Sequence, residues 1–429
     1  MQAVLRNEAQ RSRMTRLKRF FPQQHLTFVN TDMHIALVAA EPSGDNLGAA
    51  LMQVINARVA DVTYTGIGGP EMIAAGMQSL YPLEKLSVMG LVEVLPHLPE
   101  LLRIRRQLAR RLIDNPPDLF IGVDAPDFNL GLAKKMKAAG IRTVHYVAPT
   151  VWAWKQERVK VLREALDLVL SIFPFERDFL HEHNVPSIYV GHPLADQVPL
   201  DPDPAGARAA LGLPRDVPLL ALLPGSRVGE IRRLSRPFLE AAVALAREIP
   251  DLRVAAPMVN GHIHELFEQQ RRQLAPDLDC TLVDKQSDLV LEAADVVLTA
   301  SGTATLQTLL YKKPMVVGYR INAITYRLLK LFAHIKVSYI AMANLLADEA
   351  LAPEFIQHHC TAENITPALL RQLTDRPRIE EIQQRYRQIH GQLQQNAASK
   401  AADAVLQLIA PQAVKWVDLL GSDQRNPLK

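Results

Sequence analysis

Three short stretches carry side chains whose type and spacing suit chemistry. In FIGVDAPDFN (120–129) an apolar run ends at Asp124, and Asp127 and Asn129 follow within a turn. Two acids with a proline between them, at the end of a buried strand, form a candidate general-base site. The competing reading is an Asx turn with an N-cap for a helix beginning near Leu130, which suits Asp127 better than Asp124. In LLALLPGSRVGEIRRL (219–234) Gly225 lets the backbone approach a ligand, Ser226 offers N–H and hydroxyl donors, and Arg227 presents a charged fork to phosphate oxygens. A helix starting there aims its dipole at the same spot; alternatively Arg227 only pairs with Glu230. In TASGTATLQTLLYKKP (299–314) Ser301, Gly302 and Thr303 open another helix from a strand end, a second anion cradle. Two cradles in one unit suit a diphosphate held without a metal. The glycine-rich loop ending in Gly-Lys-Ser/Thr is absent.

Other stretches are less decided. In AAEPSGDNLGAALM (39–52) Gly44 relieves a turn and Ser43 or Asp45 is suited to cap the following helix, whereas Glu41, at a strand's carboxyl end, faces a cleft and does not cap. Trp152 and Trp154 either wall an acyl or sugar pocket or cover the core, and Lys155, Arg158 and Lys160 read as a solvated helix face. The segment 83–111 crowds Val88, Met89, Leu91, Leu95 and further apolar residues before Arg103, Arg105, Arg106, Arg110 and Arg111. Apolar residues beside a basic cluster fit an interfacial element on anionic lipid; a buried helix with a solvated arginine face is the alternative.

The elements that must position these residues repeat. From Met33 onward, short β-rich runs (HIALVAA, LFIGVD, TVHYVA, LVLSIF, SIYVG) alternate with amphipathic stretches. PLADQVPLDPDPAG (193–206), with four prolines, interrupts them as a linker. The alternation restarts with LLALLPGS, RVAAPMV, VVLTAS and MVVGY, and residues 362–410 read as helices without strands. The expected fold is therefore α/β, with two doubly wound Rossmann-like domains facing a cleft and C-terminal helices. The expected divisions are a head (1–32), an N-terminal domain (33–195), a second domain (205–361), helices (362–410) and a tail (411–429).

Composition narrows the function classes. The chain has 429 residues, 48% hydrophobic and 22% charged, which is a globular balance. Its net charge of +3 comes from the head, where six basic side chains stand against Glu8 and Asp32. The rest is close to neutral, which argues against a nucleic-acid partner. The head lacks a secretory signal's apolar core; a targeting peptide, a basic arm and a segment upstream of a true start at Met33 are the open readings, of which the last is favoured. Cys280 and Cys360 form no disulfide framework, the histidines show no metal-ligand spacing, and no apolar run is long enough to span a bilayer.

In order, AEPSGD, SVMGLVEVL, IGVDAPDFN, VWAWKQERV, PFE, GHPLAD, LLPGSRVGEI, ASGTATL and NLLA closely resemble the lipid-A-disaccharide synthases, from about His34 to Leu408. The resemblance implies a GT-B-type inverting glycosyltransferase that needs neither metal nor cofactor. It implies transfer of diacylglucosamine from UDP-diacylglucosamine to the primary hydroxyl of diacylglucosamine 1-phosphate, at the cytoplasmic face of a Gram-negative inner membrane, by a peripheral homodimer. Asp124 then matches the essential acid. Gly225, Ser226, Arg227, Glu230, Ser301, Gly302, Thr303, Gln307 and Asn344 fall with UDP-sugar binding. Glu41, Ser43, Gly44, Asp45, Met89 and Asp127 fall on the acceptor side of the cleft, and Val88, Leu91, Leu95, Arg103, Arg105 and Arg106 on the membrane contact, whose patch Met89 also borders. The family commonly has glutamate at Gln307 and Gly-Glu at Ala40–Glu41; an amide keeps one acceptor oxygen but loses charge-assisted strength. Alternatives are another GT-B-fold enzyme, a UDP-N-acetylglucosamine epimerase or muropeptide-lipid glycosyltransferase, and a non-catalytic sugar-nucleotide sensor.

Overall fold

The computed structural model describes residues 32–86, 95–152, 158–322 and 339–409. The expected head and tail, Val88, Met89, Leu91, Trp154 and Lys155 lie outside the described residues, as does the side chain of Leu95.

Two wholly parallel sheets form the frame. The first contains β1 (Met33–Ala39), β2 (Val62–Ile67), β3 (Met77–Ser79), β4 (Leu119–Val123), β5 (Arg142–Tyr146), β6 (Leu168–Ser171) and β7 (Ser187–Tyr189), in the order β3-β2-β1-β4-β5-β6-β7. The second contains β8 (Leu219–Leu223), β9 (Arg253–Met258), β10 (Cys280–Asp284), β11 (Val296–Ala300), β12 (Met315–Tyr319) and β13 (Glu354–Ile356), in the order β10-β9-β8-β11-β12-β13.

Unbroken apolar runs make the central strands. β4 (LFIGV), β8 (LLALL) and β11 (VVLTA) are buried at every position, which requires helices on both faces. Alternate residues serve different cores. Ile35, Leu37 and Ala39 enter one apolar cluster while Ala36 and Val38 enter another. Leu219, Ala221 and Leu223 join that first cluster, and Leu220 and Leu222 point into a third. One apolar mass thus continues from the first sheet to the second. β2 and β10, unexpected from sequence, carry threonines and half-exposed positions, and β3 and β13 have only three residues each. Such strands lack the all-apolar signature.

The helices that bear on function are α1 (Pro42–Asn56), α2 (Leu98–Asp114), α3 (Pro126–Ala138), α4 (Val228–Glu248), α5 (Thr303–Leu310), α6 (Arg376–Leu393) and α7 (Ala397–Ile409). The proline-rich linker contains two short helices, Pro193–Gln197 and Pro204–Ala210. After the second sheet the chain returns to the first. His192 N–H donates to Leu393 O at 2.9 Å, and Asp196 accepts the N–H groups of Asn396 and Ala397 at 2.9 and 2.6 Å. α7 then packs on α1, and Arg58, just past the end of α1, pairs with Asp403. Among the described residues no helix is long and apolar enough to cross a membrane.

Candidate active site

Each sheet has one place where its strand order reverses, between β1 and β4 and between β8 and β11. In open parallel sheets ligands bind beyond the strands' carboxyl ends at these points. Glu41 follows β1, Asp124 follows β4, Gly225–Arg227 follow β8, and Ser301–Thr303 follow β11. The residues singled out for chemistry therefore fall on the four loops at the two switch points.

Asp124 sits in a strained turn. It and Ala125 have φ of 52° and 44°, left-handed values that cost a non-glycine residue about 1 kcal/mol or more each. The strain is held from both sides. Asp124 N–H donates to Tyr146 O at 2.9 Å, which extends the ladder with β5. Buried Asn129 donates from Nδ2 to the main-chain oxygens of Asp124 at 2.7 Å and of Val38, on β1, at 3.2 Å. Gly122 makes room for this amide, because a Cβ there would lie 2.8 Å from that of Asn129. The Asp124 carboxyl is half-buried, and that burial raises its pKa above the ordinary carboxylate value, opposed by a hydrogen bond from the Ala125 N–H. A carboxylate so held is a better base than a solvated one.

Glu41 reports what surrounds Asp124. It occupies the N-cap position of α1 without a side-chain capping bond. Burial raises its pKa first, the charge of Asp124 raises it further, and the positive charge of Arg227 lowers it. Glu41, after β1, thus feels the charges of both the acid after β4 and the arginine after β8.

In the second unit, Gly225 has a φ of 121°, and a Cβ there would fall 2.5 Å from Glu230. The Glu230 carboxylate folds back over the loop and accepts the N–H groups of Ser226 and Arg227 at 2.9 and 3.2 Å. It also pairs with the Arg227 guanidinium at 3.4 Å. The Ser226 N–H expected to face a ligand is thus engaged within its own loop, and Glu230 organises that loop. The Arg227 side chain is 63% exposed. Across the switch point, α5 begins after Gly302 (φ 139°) with no side-chain cap, with Thr303 exposed, Gln307 half-buried, and the Ser301 hydroxyl donating to Ile340 O at 3.1 Å.

Several sequence expectations need correction. The helix after β1 already starts at Pro42, so neither Ser43 nor Asp45 caps it. Asp45 is buried, and its carboxylate accepts the N–H groups of Gly69, Glu71 and Met72, capping the short helix Pro70–Ala74. Gly44 lies within α1, where its bareness lets the helix pass close to Ala39 and Val123. Asn344, expected near a nucleotide, is buried with its amide fully used by Ala352 and Glu354. Asp127 lies inside the first turn of α3, whose N-cap is Ala125, and not at the cap. Arg105 does not point outward with Arg103 and Arg106; it donates to Asp127 O at 3.3 Å, while Arg103 and Arg106 are exposed. Arg158 is not a free solvated residue, since it pairs with Asp127 at 2.7 Å. Trp152 is half-buried and packs edge-on to half-buried Phe175, with ring centroids 4.8 Å apart. Among the described residues no group of three or more His, Cys, Asp or Glu converges to hold a metal.

This architecture recurs in solved structures of low sequence identity. A UDP-GlcNAc 2-epimerase from Neisseria meningitidis, bound to UDP-GlcNAc, superposes with a TM-score of 0.59 at 11% identity, covering 88% of this chain and 100% of its own. A glycosyltransferase from Rickettsia africae gives 0.53 at 13%, covering 90% and 100%. Sequence relatives are nearer. A lipid-A-disaccharide synthase of Pseudomonas aeruginosa is 51% identical over 377 residues, 88% of this chain and 98% of that protein. Another, from Alcanivorax borkumensis, is 47% identical over 375 residues, 87% and 97% respectively. The family model for lipid-A-disaccharide synthetase matches residues 35–409, which run from β1 through α7 and contain all four switch-point loops, so the chain belongs to that family.

Proposed function

We propose that the protein joins two acylated glucosamines. The donor is UDP-diacylglucosamine, the acceptor is the primary hydroxyl of diacylglucosamine 1-phosphate, and the products are the β-linked disaccharide 1-phosphate and UDP. The observation that carries the site assignment is that Glu41, Asp124 and Arg227 follow β1, β4 and β8 at the two switch points, with Glu41 feeling the charge of both others.

Asp124 takes the acceptor's hydroxyl proton as the anomeric carbon develops oxocarbenium character and the new C–O bond forms on the face opposite UDP. The Arg227 guanidinium and the uncapped start of α5 at Gly302–Thr303 receive the negative charge that grows on the departing diphosphate. Gln307, half-buried one turn into α5, accepts a ribose hydroxyl through its amide oxygen. Glu41 keeps the acceptor side of the cleft polar.

A lipid acceptor requires contact with a bilayer surface. Leu98 and Leu102 on α2 are 42% and 39% exposed, near exposed Arg103 and Arg106, while Ile104, Leu108 and Leu112 of the same helix are buried. Apolar side chains flanked by arginines suit peripheral attachment to the anionic cytoplasmic leaflet. The homodimer is inferred from the family resemblance alone, and sedimentation velocity tests it.

The deciding experiment is UDP release by purified protein given UDP-diacylglucosamine, with and without diacylglucosamine 1-phosphate. Acceptor-dependent release with a disaccharide product supports the reading; release without acceptor, or interconversion of the donor sugar, overturns it in favour of hydrolysis or epimerisation.

A further inference from the structure

Beside Asp124 lies a second charged constellation that the transfer chemistry does not use. Arg105 reaches it from α2, and Arg158 from the start of the helix Val159–Ala165. Both converge on Asp127 in the first turn of α3, Arg105 on its carbonyl oxygen at 3.3 Å and Arg158 on its carboxylate at 2.7 Å. Gly131, one turn further along α3, gives the Arg105 guanidinium its seat: a Cβ there would lie 2.5 Å from Nη1 and 2.9 Å from Cζ.

We propose that Arg105 and Arg158 form a subsite for a phosphate monoester, the anomeric phosphate of the acceptor, and that Asp127 occupies it when no acceptor is bound. The inference rests on the function proposed above, and three features support it. Two guanidinium groups from different elements meet one acidic residue, Arg158 at its carboxylate and Arg105 at its main-chain oxygen, so the cluster keeps a positive charge, and the N-terminus of the thirteen-residue helix α3 adds to it. The Asp127 side chain is 81% exposed, so moving it into water costs little desolvation. A phosphate monoester, with a charge of about −1.5 to −2 and three acceptor oxygens, then satisfies both forks, whereas the Asp127 carboxylate meets that of Arg158. The spacing also suits one sugar. Asp127 is three residues from Asp124, at most about 10 Å along the chain, so a single hexose reaches the base with its primary hydroxyl and the arginines with its anomeric substituent.

The test compares the acceptor with its counterpart bearing a free anomeric hydroxyl, at saturating donor, by UDP release from the full chain. Wild-type protein is expected to prefer the phosphorylated acceptor in kcat/KM. Arg158→Gln should shrink that preference by ~10–100-fold, the equivalent of losing one or two charged hydrogen bonds. Gly131→Ala, which favours the helix and only displaces the guanidinium, should act in the same direction, which separates the effect from misfolding. Asp127→Asn should lower the KM for the phosphorylated acceptor, because the resident competitor is weakened. Arg158→Gln and Gly131→Ala variants that keep the full wild-type preference overturn the proposal. So does loss of binding to phosphatidylglycerol vesicles by Arg158→Gln with acceptor preference intact, which would assign the arginines to the lipid surface. If wild-type protein releases no UDP with either acceptor, the proposed function itself fails, a distinct result that takes the subsite with it.

Discussion

Asn129 Nδ2 donates to the main-chain oxygen of Asp124 at 2.7 Å, so the residue that fixes the strained turn is itself locked in the core one turn into the next helix. Replacing Asn129 with Ala breaks that bond and the one to Val38 and leaves the Asp124 N–H bond to Tyr146 O to hold the two left-handed residues. The expected cost is about 2–3 kcal/mol, read by urea denaturation. Turnover should fall further than the lost folded fraction explains, with kcat affected more than the donor KM.

Asp124→Asn keeps the shape of the turn and its hydrogen bonds while removing the base. Thermal unfolding should be unchanged or slightly stabilised, since a half-buried charge is removed. UDP release should drop by roughly 10²–10⁴, the usual contribution of a positioned base. An active Asn variant would reassign the proton acceptor.

The acid limb of the pH profile has a definite sign. Asp124 works ionised, and burial holds its folded-state pKa above the ordinary 3.8. The limb of kcat/KM should therefore lie above that value, with activity lost as pH falls through it. Glu41→Gln should leave the limb raised, because burial of Asp124 and not its neighbour is the leading cause. A limb at the solvated value would mean that the carboxyl stands in open water.

Arg227→Ala should raise the donor KM and lower kcat together, by roughly 10²–10³ in kcat if the guanidinium meets charge that grows during reaction. Lysine should restore only part, as a point charge without the fork. Glu230→Ala is informative beside it: loss of the loop's internal hydrogen bonds should weaken UDP binding through loop disorder, measurable by calorimetry with UDP alone.

Leu98→Ser with Leu102→Ser should reduce co-sedimentation with anionic vesicles without lowering the melting temperature, since both side chains are more than a third exposed. A large fall in melting temperature would return α2 to an ordinary core helix.

What was legible in the sequence followed burial. Strands covered on both faces announce themselves as apolar runs, and the acid or glycine that ends such a run is visible without coordinates, as with Asp124 after LFIGV and Gly225 after LLALL. Strands with half-exposed positions, VTYTGI and CTLVD, do not stand out. Side chains whose partners are distant in sequence are hidden for a related reason. Asp45 bonds to residues 24 to 27 positions away, and Arg105 and Arg158 meet Asp127 across 22 and 31 positions. Local spacing offered a cap or a solvated face for each, and only the tertiary fold supplies the actual partner. Asn344 could be placed by its motif, but not the loop to which its amide is committed.

The return of the chain across the linker has a practical corollary for dissecting the molecule. α7 lies against α1, and the chain at its start is tied to Asp196, so the helical layer on the first sheet is completed by residues about two hundred positions past the linker. A gene cut at the linker would yield a front piece with a bare apolar flank on α1, prone to aggregation, and not a separable half. Joining residues 397–409 ahead of Met33 through a flexible tether would supply the missing helix in cis, and a permuted front piece of that design should fold alone.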